Sequence, residues 1–312
     1  MSILDHDLIS ERYFFPSEDA PADPTWVDVD GARLACYATP RRHDLTVLHF
    51  HGNGEVVAGY VPWFVDWMGE LEADCFLAEY RGYGASTGTP RLGKMLDDVE
   101  AIIEAVGRPA DEIVVFGRSV GSIYAIETAY RFPEVAGLIL ESGIADPGER
   151  ILLRCTPDEL GVSKARLDAA FAERLDNLAK LQSRDKPTLV LHTENDHLVD
   201  VSHGERLAAA PARKARLVTF HAGDHNTIFS ANREEYEEEV QRLLHRSRRS
   251  PSADDTLEGM EVREDTLEMH GSPGPKRVGP GQTTPIEIPP ALRGDRAEAD
   301  EASSEPPADS EE

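Results

Sequence analysis

The feature that most constrains this chain is the pentapeptide Gly117–Gly121, Gly-Arg-Ser-Val-Gly, which lies between two apolar segments. Ile113–Phe116 before it is rich in β-branched residues, and Ser122–Ala129 after it has the pattern of a buried helix. The sequence therefore predicts a strand, a tight turn and a helix. Glycines on both sides let the backbone turn sharply, so we expect the Ser119 hydroxyl to project above the helix N-terminus. The alternative is that Ser119 only caps that helix.

A serine hydroxyl attacks a carbonyl carbon at neutral pH when an imidazole accepts its proton and a carboxylate orients the imidazole. Two later predicted strands are each followed by a candidate: Thr188–His192 by Asp196, and Arg216–Phe220 by His225. The carboxyl ends of parallel strands meet at one edge of a sheet. We therefore predict that Ser119, Asp196 and His225 converge there, in the chain order typical of a serine on such a turn.

Neighbouring residues compete for two of these roles. Asp196 could cap a turn, which would leave Glu194 or Asp200 as the acid. His221 lies in the same loop as His225 and competes with it as the base.

Two glycine-rich segments occur earlier in the chain. His51–Glu55, His-Gly-Asn-Gly-Glu, follows the predicted strand Thr46–Phe50, and Arg81–Pro90 follows the predicted strand Phe76–Tyr80. Together with the Ser119 pentapeptide, these motifs resemble the α/β-hydrolase superfamily, and within it a branch of small serine hydrolases. That branch includes bacterial esterases, eukaryotic protein depalmitoylases and peptidase-like relatives.

The resemblance extends from about residue 11 to about residue 244, since Tyr13–Ser17 and Ser202–Glu205 also match the branch. It implies an α/β-hydrolase fold, with a mostly parallel central sheet, helices on both faces and a short lid insertion. The hydrolase domain would span residues 1–245, with the lid at about 142–187. The chain departs from the usual pattern at Thr193, where the branch commonly has glycine, and at Gly54, where it commonly has alanine.

Carried over position by position, the resemblance implies the roles of nucleophile, acid and base for Ser119, Asp196 and His225. It also implies that the backbone N–H groups of Val120 and Asn53 form the oxyanion hole, with Gly54 as a second choice for the latter. Such donors must point in advance at the oxygen that becomes charged in the tetrahedral intermediate.

The implied activity is that of a serine hydrolase that cleaves a carboxylic ester or thioester through an acyl-enzyme, without a cofactor. The alternatives are a peptidase or amidase on the same triad, an acyltransferase, and a binding or scaffold protein of the same fold. The sequence offers no metal site, because it has no HExxH or similar histidine pair and no CxxC.

Other conspicuous polar residues have structural interpretations. His49 interrupts an apolar strand and His51 is expected to order the oxyanion loop. Arg81 and Arg118 are expected to pair with carboxylates, with a clamp for an anionic substrate as the alternative.

The remaining layout begins with a predicted hairpin, Trp26–Val29 and Arg33–Tyr37, joined at Asp30 and Gly31. A helix predicted to begin near Glu55 carries aromatic residues at helical spacing. Two of them, Tyr60 and Trp63, are expected in the core, with a place in an acyl pocket as the alternative.

The segment from residue 142 to 187 has an irregular character and is the expected lid. Its apolar residues Ile151–Leu153 and Leu160, with the amphipathic run Leu167–Leu181, could cover the serine and select the acyl or alcohol group.

Composition changes after residue 245. The stretch 246–312 holds eight basic and sixteen acidic residues with little aliphatic clustering, which predicts a disordered acidic tail. Such a tail would bind a protein partner or aid solubility, or it is an unselected extension. The net charge of the whole chain is −26, which argues against binding to nucleic acid or to anionic membrane surfaces.

The cysteines Cys36, Cys75 and Cys155 are odd in number and show no scaffold spacing. The N-terminus lacks a basic segment followed by an apolar core, and no apolar run approaches about 20 residues. We therefore predict a cytoplasmic protein whose substrate is a small molecule or an acylated group.

Overall fold

The computed structural model of the chain describes residues 2–213 and 215–248, in which eight strands form one sheet. The strands are β1 (Thr25–Val29), β2 (Ala32–Ala38), β3 (Leu45–Phe50), β4 (Ala73–Ala78), β5 (Ile113–Arg118), β6 (Gly137–Glu141), β7 (Thr188–Thr193) and β8 (Arg216–Phe220). Their order across the sheet is β1-β2-β4-β3-β5-β6-β7-β8. Strand β2 pairs antiparallel with β1 and with β4, and all other neighbouring strands are parallel, so the predicted mostly parallel sheet and the predicted hairpin are both confirmed.

Helices connect most of the strands. They are α1 (Asp7–Tyr13), α2 (Val57–Glu70), α3 (Leu92–Val106), α4 (Gly121–Arg131), α5 (Pro147–Leu152), α6 (Lys164–Arg174), α7 (Asn177–Leu181), α8 (Val201–Ala209), α9 (Ile228–Ala231) and α10 (Arg233–Arg248). None of these helices, within the described ranges, combines the length and the apolarity needed to cross a bilayer.

The sheet is covered on both faces by helices, as predicted. Helices α2 and α10 bury their apolar residues against one face, and α3, α4 and α8 bury theirs against the other. Strand β5 alternates between the two cores, because Ile113 and Val115 face α3 and α4 whereas Val114 and Phe116 face α2 and α10. Central strands of this kind are buried on both faces, which explains why the sequence shows continuous apolar runs there.

Two predictions differ from the structure: where α2 begins and the irregular character of the segment 142–187. Helix α2 begins at Val57 rather than near Glu55, because Val56 has an extended backbone and is the N-cap residue. The segment 142–187 is not irregular, since it contains α5, α6 and α7. Side-chain caps begin these short helices at Asp146, Ser163 and Asp176, a local signal that apolar periodicity does not detect.

The predicted domain boundary at residue 245 falls inside α10, which continues to Arg248. Arg248 donates hydrogen bonds to the carbonyl oxygens of Leu71 and Glu72, at 2.9 and 2.7 Å, and so ties the end of α10 to the end of α2. The rest of the predicted acidic tail lies outside the described residues.

The two glycines of the pentapeptide are required for space. A Cβ atom at Gly117 would lie 2.6 Å from the Cβ of Ala125, and one at Gly121 would overlap the Phe50 carbonyl and lie 2.6 Å from the His51 carbonyl oxygen. Neither glycine has a positive φ, so the predicted sharp turn does not depend on their backbone freedom. The glycines instead allow α4 to approach the ends of β5 and β3.

We expect Gly121→Ala to lower the free energy of unfolding by about 2–4 kcal/mol, because backbone rather than a flexible side chain blocks the new methyl group. Gly59→Ala, inside α2, is the control, since nothing lies within 4 Å of a Cβ there. It should leave stability unchanged or raise it by up to about 1 kcal/mol. Urea unfolding followed by circular dichroism measures the free energy of unfolding of both variants. A Gly121→Ala variant as stable as the wild type would contradict the close approach of α4 to β3.

Candidate active site

Ser119 occupies the turn between β5 and α4 in a strained conformation. Its φ is 51°, in the left-handed region that side-chain-bearing residues avoid at a cost of about 1–2 kcal/mol. The Ser119 N–H donates to the Glu141 carbonyl at 2.9 Å, and the Ser122 hydroxyl donates to the Ser119 carbonyl at 2.6 Å. The residue at the N-cap of α4 is Val120, so the helix-cap alternative for Ser119 is wrong.

The Ser119 hydroxyl, the His225 ring and the Asp196 carboxylate form one hydrogen-bonded chain. Ser119 Oγ lies 3.0 Å from His225 Nε2, and His225 Nδ1 lies 2.7 Å from Asp196 Oδ2. All three residues are buried, with exposed fractions of 9%, 6% and 4%. Because an ionised carboxylate can only accept, Nδ1 carries the proton, and Nε2 is then free to accept a proton from Oγ.

The environment of Asp196 keeps its carboxylate ionised. Burial by itself would raise its pKa, but the His192 ring, whose Nε2 lies 3.5 Å from Oδ2, and the hydrogen bond with His225 hold that pKa well below the usual range. The second carboxylate oxygen accepts from the N–H groups of Leu198 and Val199 at 3.0 and 2.7 Å. These bonds fix the orientation of the carboxylate toward His225.

The competing residues are engaged elsewhere. Glu194 and His221 pair with each other, with 2.7 Å between Glu194 Oε2 and His221 Nδ1, on the exposed surface. Asp200 caps α8 by accepting a hydrogen bond from the Ser202 N–H at 3.0 Å. Neither Glu194 nor Asp200 is bonded to the ring of His225.

Thr193, where the sequence departs from the usual pattern, joins the loop of the acid to the loop of the base. Its hydroxyl lies within hydrogen-bond distance of the carbonyl oxygens of Ala222, at 3.3 Å, and Gly223, at 3.0 Å. Gly223 precedes His225 by two positions. A glycine at position 193 would lack this link.

The side chain of Asn53 is held by the N-terminal segment. Its Oδ1 accepts from the Phe15 N–H at 3.0 Å and from the Tyr83 hydroxyl at 2.7 Å, and its Nδ2 donates to the Tyr13 carbonyl at 2.6 Å. Among the described residues, the N–H groups of Asn53, Gly54 and Val120 have no hydrogen-bond acceptor.

The two histidines of the third strand and its loop have structural surroundings. His51 has Glu79 Oε1 2.7 Å from Nε2 and the Gly52 carbonyl 2.8 Å from Nδ1. Burial opposes its charge, but Glu79 outweighs that effect and raises the pKa of His51. His49 lies among aromatic rings of α2 and β5, and burial lowers its pKa well below the usual value.

Both arginines pair with carboxylates, as predicted, so the structure gives no support to an anion clamp. Arg81 Nε and Nη2 bind the two oxygens of Asp98 at 2.5 and 2.6 Å. Arg118 lies between Glu55 and Glu141. Neither glutamate had a predicted role, although Glu55 directly follows a glycine-rich loop and Glu141 ends an apolar strand, and both are signals in the sequence.

Tyr60 and Trp63 are in the core, where we expected them. Tyr60 is 4% exposed and Trp63 is 6% exposed, and both belong to the apolar cluster beneath α2. The Tyr60 hydroxyl donates to Glu55 Oε2 at 2.6 Å.

Comparisons with known proteins agree with this architecture. A family described as "Serine aminopeptidase, S33" matches residues 41–175. The uncharacterized protein YfhR of Escherichia coli (strain K12) is 26% identical over 226 residues, which cover 70% of this chain and 70% of YfhR. Human alpha/beta hydrolase domain-containing protein 17B is 27% identical over 205 residues, which cover 64% of this chain and 67% of that protein.

Among solved structures, the Pyrococcus furiosus esterase Pf2001 superposes with a TM-score of 0.57 at 18% identity. The match covers 74% of this chain and 99% of the esterase chain. At this level of identity the likeness shows the fold, which is the predicted α/β-hydrolase fold.

The strain at Ser119 predicts an unusual order of stabilities. Ser119→Gly and Ser119→Ala both remove the hydroxyl, but only glycine adopts a positive φ without cost. We expect the glycine variant to have a free energy of unfolding about 1 kcal/mol higher than the alanine variant, by urea unfolding. A more stable alanine variant would show that position 119 is not strained.

The lowered pKa of Asp196 predicts how stability depends on pH. The unfolded chain binds a proton to this carboxyl near pH 3.8 and the folded chain only at lower pH, so the contribution to stability is present above about pH 4 and lost below it. Between about pH 4 and pH 2, the free energy of unfolding of the wild type should fall more steeply than that of Asp196→Asn. Parallel curves from urea unfolding across this range would contradict the lowered pKa.

Proposed function

Because the chain belongs to the α/β-hydrolase superfamily, we propose that it is a serine hydrolase that cleaves a carboxylic ester or thioester through an acyl-enzyme. The observation that carries the proposal is the continuous chain of hydrogen bonds from Ser119 through His225 to Asp196. The fold alone would not support it, because many functions share this fold.

In the first half of the reaction, Ser119 Oγ attacks the carbonyl carbon of the substrate while His225 Nε2 accepts the hydroxyl proton. The tetrahedral intermediate collapses when its bond to the leaving oxygen or sulfur breaks, and His225 delivers the proton to that leaving group. Asp196 stays ionised and stabilises the imidazolium in between. The product of this half is an ester between the acyl group and Ser119.

In the second half, water attacks the acyl-enzyme while His225 accepts one of its protons. The second tetrahedral intermediate breaks the bond to Ser119 Oγ, and His225 returns the proton to that oxygen. A carboxylic acid leaves and the free enzyme is restored.

The oxyanion of both intermediates would be bound by the N–H groups of Val120 and Asn53. Two facts support this choice: neither N–H has an acceptor among the described residues, and the Asn53 side chain is fixed by three hydrogen bonds. Gly54 remains the second choice for the donor in this loop, since its N–H also lacks an acceptor among the described residues. One oxyanion donor typically contributes about 3–4 kcal/mol to lowering the barrier.

The segment containing α5, α6 and α7 would be the lid of this active site. Ile151 and Leu160 are buried in the core, whereas Leu152 and Leu153 are 36% and 67% exposed, so these two are the apolar residues of the group that face solvent. We place the protein in the cytoplasm, which its three free, buried cysteines support.

Hydrolysis of amides is the second candidate function, since the match to the family described as serine aminopeptidase favours it. Turnover of a p-nitrophenyl ester compared with that of an aminoacyl p-nitroanilide separates the two. If only the anilide is hydrolysed, the protein is an amidase or peptidase rather than an esterase.

We expect an alkyl fluorophosphonate to label the wild type on Ser119, with one adduct per chain by intact-mass measurement. Ser119→Ala should not be labelled, whereas the control Ser230→Ala, which changes an exposed serine on α9, should react like the wild type. Equal labelling of wild type and Ser119→Ala would contradict the assignment of the nucleophile.

A further inference from the structure

A buried group of charges lies directly beneath the site. Arg118, the residue before Ser119, is 4% exposed, and its guanidinium group has partners in three different segments. Glu55 Oε1 lies 2.5 Å from Nη1, Glu141 Oε1 lies 2.9 Å from Nε, and the His225 carbonyl accepts a hydrogen bond from Nη2 at 2.9 Å. The N–H of Nε is not aligned for a hydrogen bond, so the contact with Glu141 is an ion pair only.

The Glu55 partner connects Arg118 to the oxyanion loop. Glu55 Oε2 accepts hydrogen bonds from the Gly52 N–H and from the Tyr60 hydroxyl, both at 2.6 Å. A Cβ atom at Gly52 would lie 2.6 Å from Arg118 Nη1 and 2.8 Å from Glu55 Oε2, so this loop rests directly on the ion pair. Asn53, whose N–H we propose as an oxyanion donor, is the next residue.

The other partners connect Arg118 to the base and to the nucleophile turn. The hydrogen bond to the His225 carbonyl fixes the backbone from which the imidazole projects. Glu141 accepts the Tyr236 hydroxyl through its side chain and the Ser119 N–H through its carbonyl. One guanidinium group therefore lies between the loops that carry the nucleophile, the base and the proposed oxyanion donor.

Stability alone is a poor explanation for such a group. Removing charges from water costs several kcal/mol for each ion, and well-packed apolar residues often stabilise a protein as much as a buried ion pair does. Directional contacts also fix the positions of the loops that they join. This matters for activity, because catalytic groups lose activity when they are displaced by fractions of an ångström. Burial would lower the pKa of Arg118, but Glu55 foremost raises it above its usual value, so the charge persists.

We propose that Arg118 and Glu55 are positioning residues that hold the oxyanion loop and the His225 loop in register around Ser119. This inference rests on the proposed hydrolase function. Neither residue touches the substrate; both act through Gly52, Asn53 and His225.

Glu55→Gln and Arg118→Lys test the inference. The glutamine keeps the shape of Glu55 but loses its charge, and the lysine keeps the charge of Arg118 but has one ammonium group for three partners. With a p-nitrophenyl ester, we expect kcat to fall about 10-fold to 100-fold and KM to stay within about 3-fold. The Ki of an alkyl boronic acid, which forms a tetrahedral adduct with the serine, should rise by a factor similar to the fall in kcat.

Asp98→Asn is the matched control. It removes one carboxylate charge from another buried arginine pair, Arg81 and Asp98, which among the described residues has no hydrogen bond or ion pair to the three site loops. We expect Asp98→Asn to lose about as much thermal stability as Glu55→Gln and Arg118→Lys, while its kcat and the Ki of the boronic acid stay at the wild-type values. Tyr60→Phe, which deletes one hydroxyl bonded to Glu55, is a milder variant should Glu55→Gln and Arg118→Lys fail to fold, and its kcat should fall about 3-fold.

The inference would be overturned if Glu55→Gln and Arg118→Lys had the kcat and the Ki of the wild type. If those two variants do not fold, the same result in Tyr60→Phe would overturn it. A decrease in kcat and an increase in Ki of the same size in Asp98→Asn would also overturn it. In either case, fluorophosphonate labelling of the wild type on Ser119 would leave the proposed function standing. A wild type that is not labelled would overturn the proposed function and the inference together.

Discussion

The site depends on the close contact between the first turn of α4 and the end of β3. Because Gly121 has no side chain, its backbone approaches the carbonyl groups of Phe50 and His51. Ser119, two residues earlier in the same turn, has the left-handed conformation with a φ of 51°. The hydroxyl is thereby directed at His225 instead of capping the helix. Packing in the core therefore supplies the free energy that keeps a strained serine in place.

A second constraint is that the proposed catalytic groups come from loops distant in sequence. Thr193 joins the acid loop to the base loop, and Arg118 joins the base loop to the loop of Gly52 and Asn53. These contacts are polar and buried, so each depends on direction. Loss of one partner would leave a buried polar group without a hydrogen bond, which lowers stability. We interpret the site as a rigid frame of side-chain contacts built on the edge of a parallel sheet.

The sequence predicted the elements whose signals are local. The apolar runs of β5 and α4 flank a glycine pair. Asp196 and His225 lie in the loops after predicted strands, so parallel topology predicted that they would come close to Ser119 at one edge of the sheet. The sequence predicted that Arg118 pairs with a carboxylate but did not identify Glu55 and Glu141 as the partners, because these residues are distant in sequence and come close to Arg118 only in the assembled sheet. In the region of α5, α6 and α7 the sequence predicted only an amphipathic run, Leu167–Leu181, because side-chain caps, rather than apolar periodicity, mark where these helices begin. The competition between His221 and His225 likewise required coordinates, since both follow β8.

A crystal structure with a short alkyl boronic acid tests the central claim most directly. The account predicts a tetrahedral boron bonded to Ser119 Oγ, with one boron-bound oxygen about 2.7–3.1 Å from the N–H nitrogens of Asn53 and Val120. His225 Nε2 should remain within hydrogen-bond distance of the adduct. Boron bonded to another residue, or an imidazole of His225 turned away from Ser119, would contradict the account.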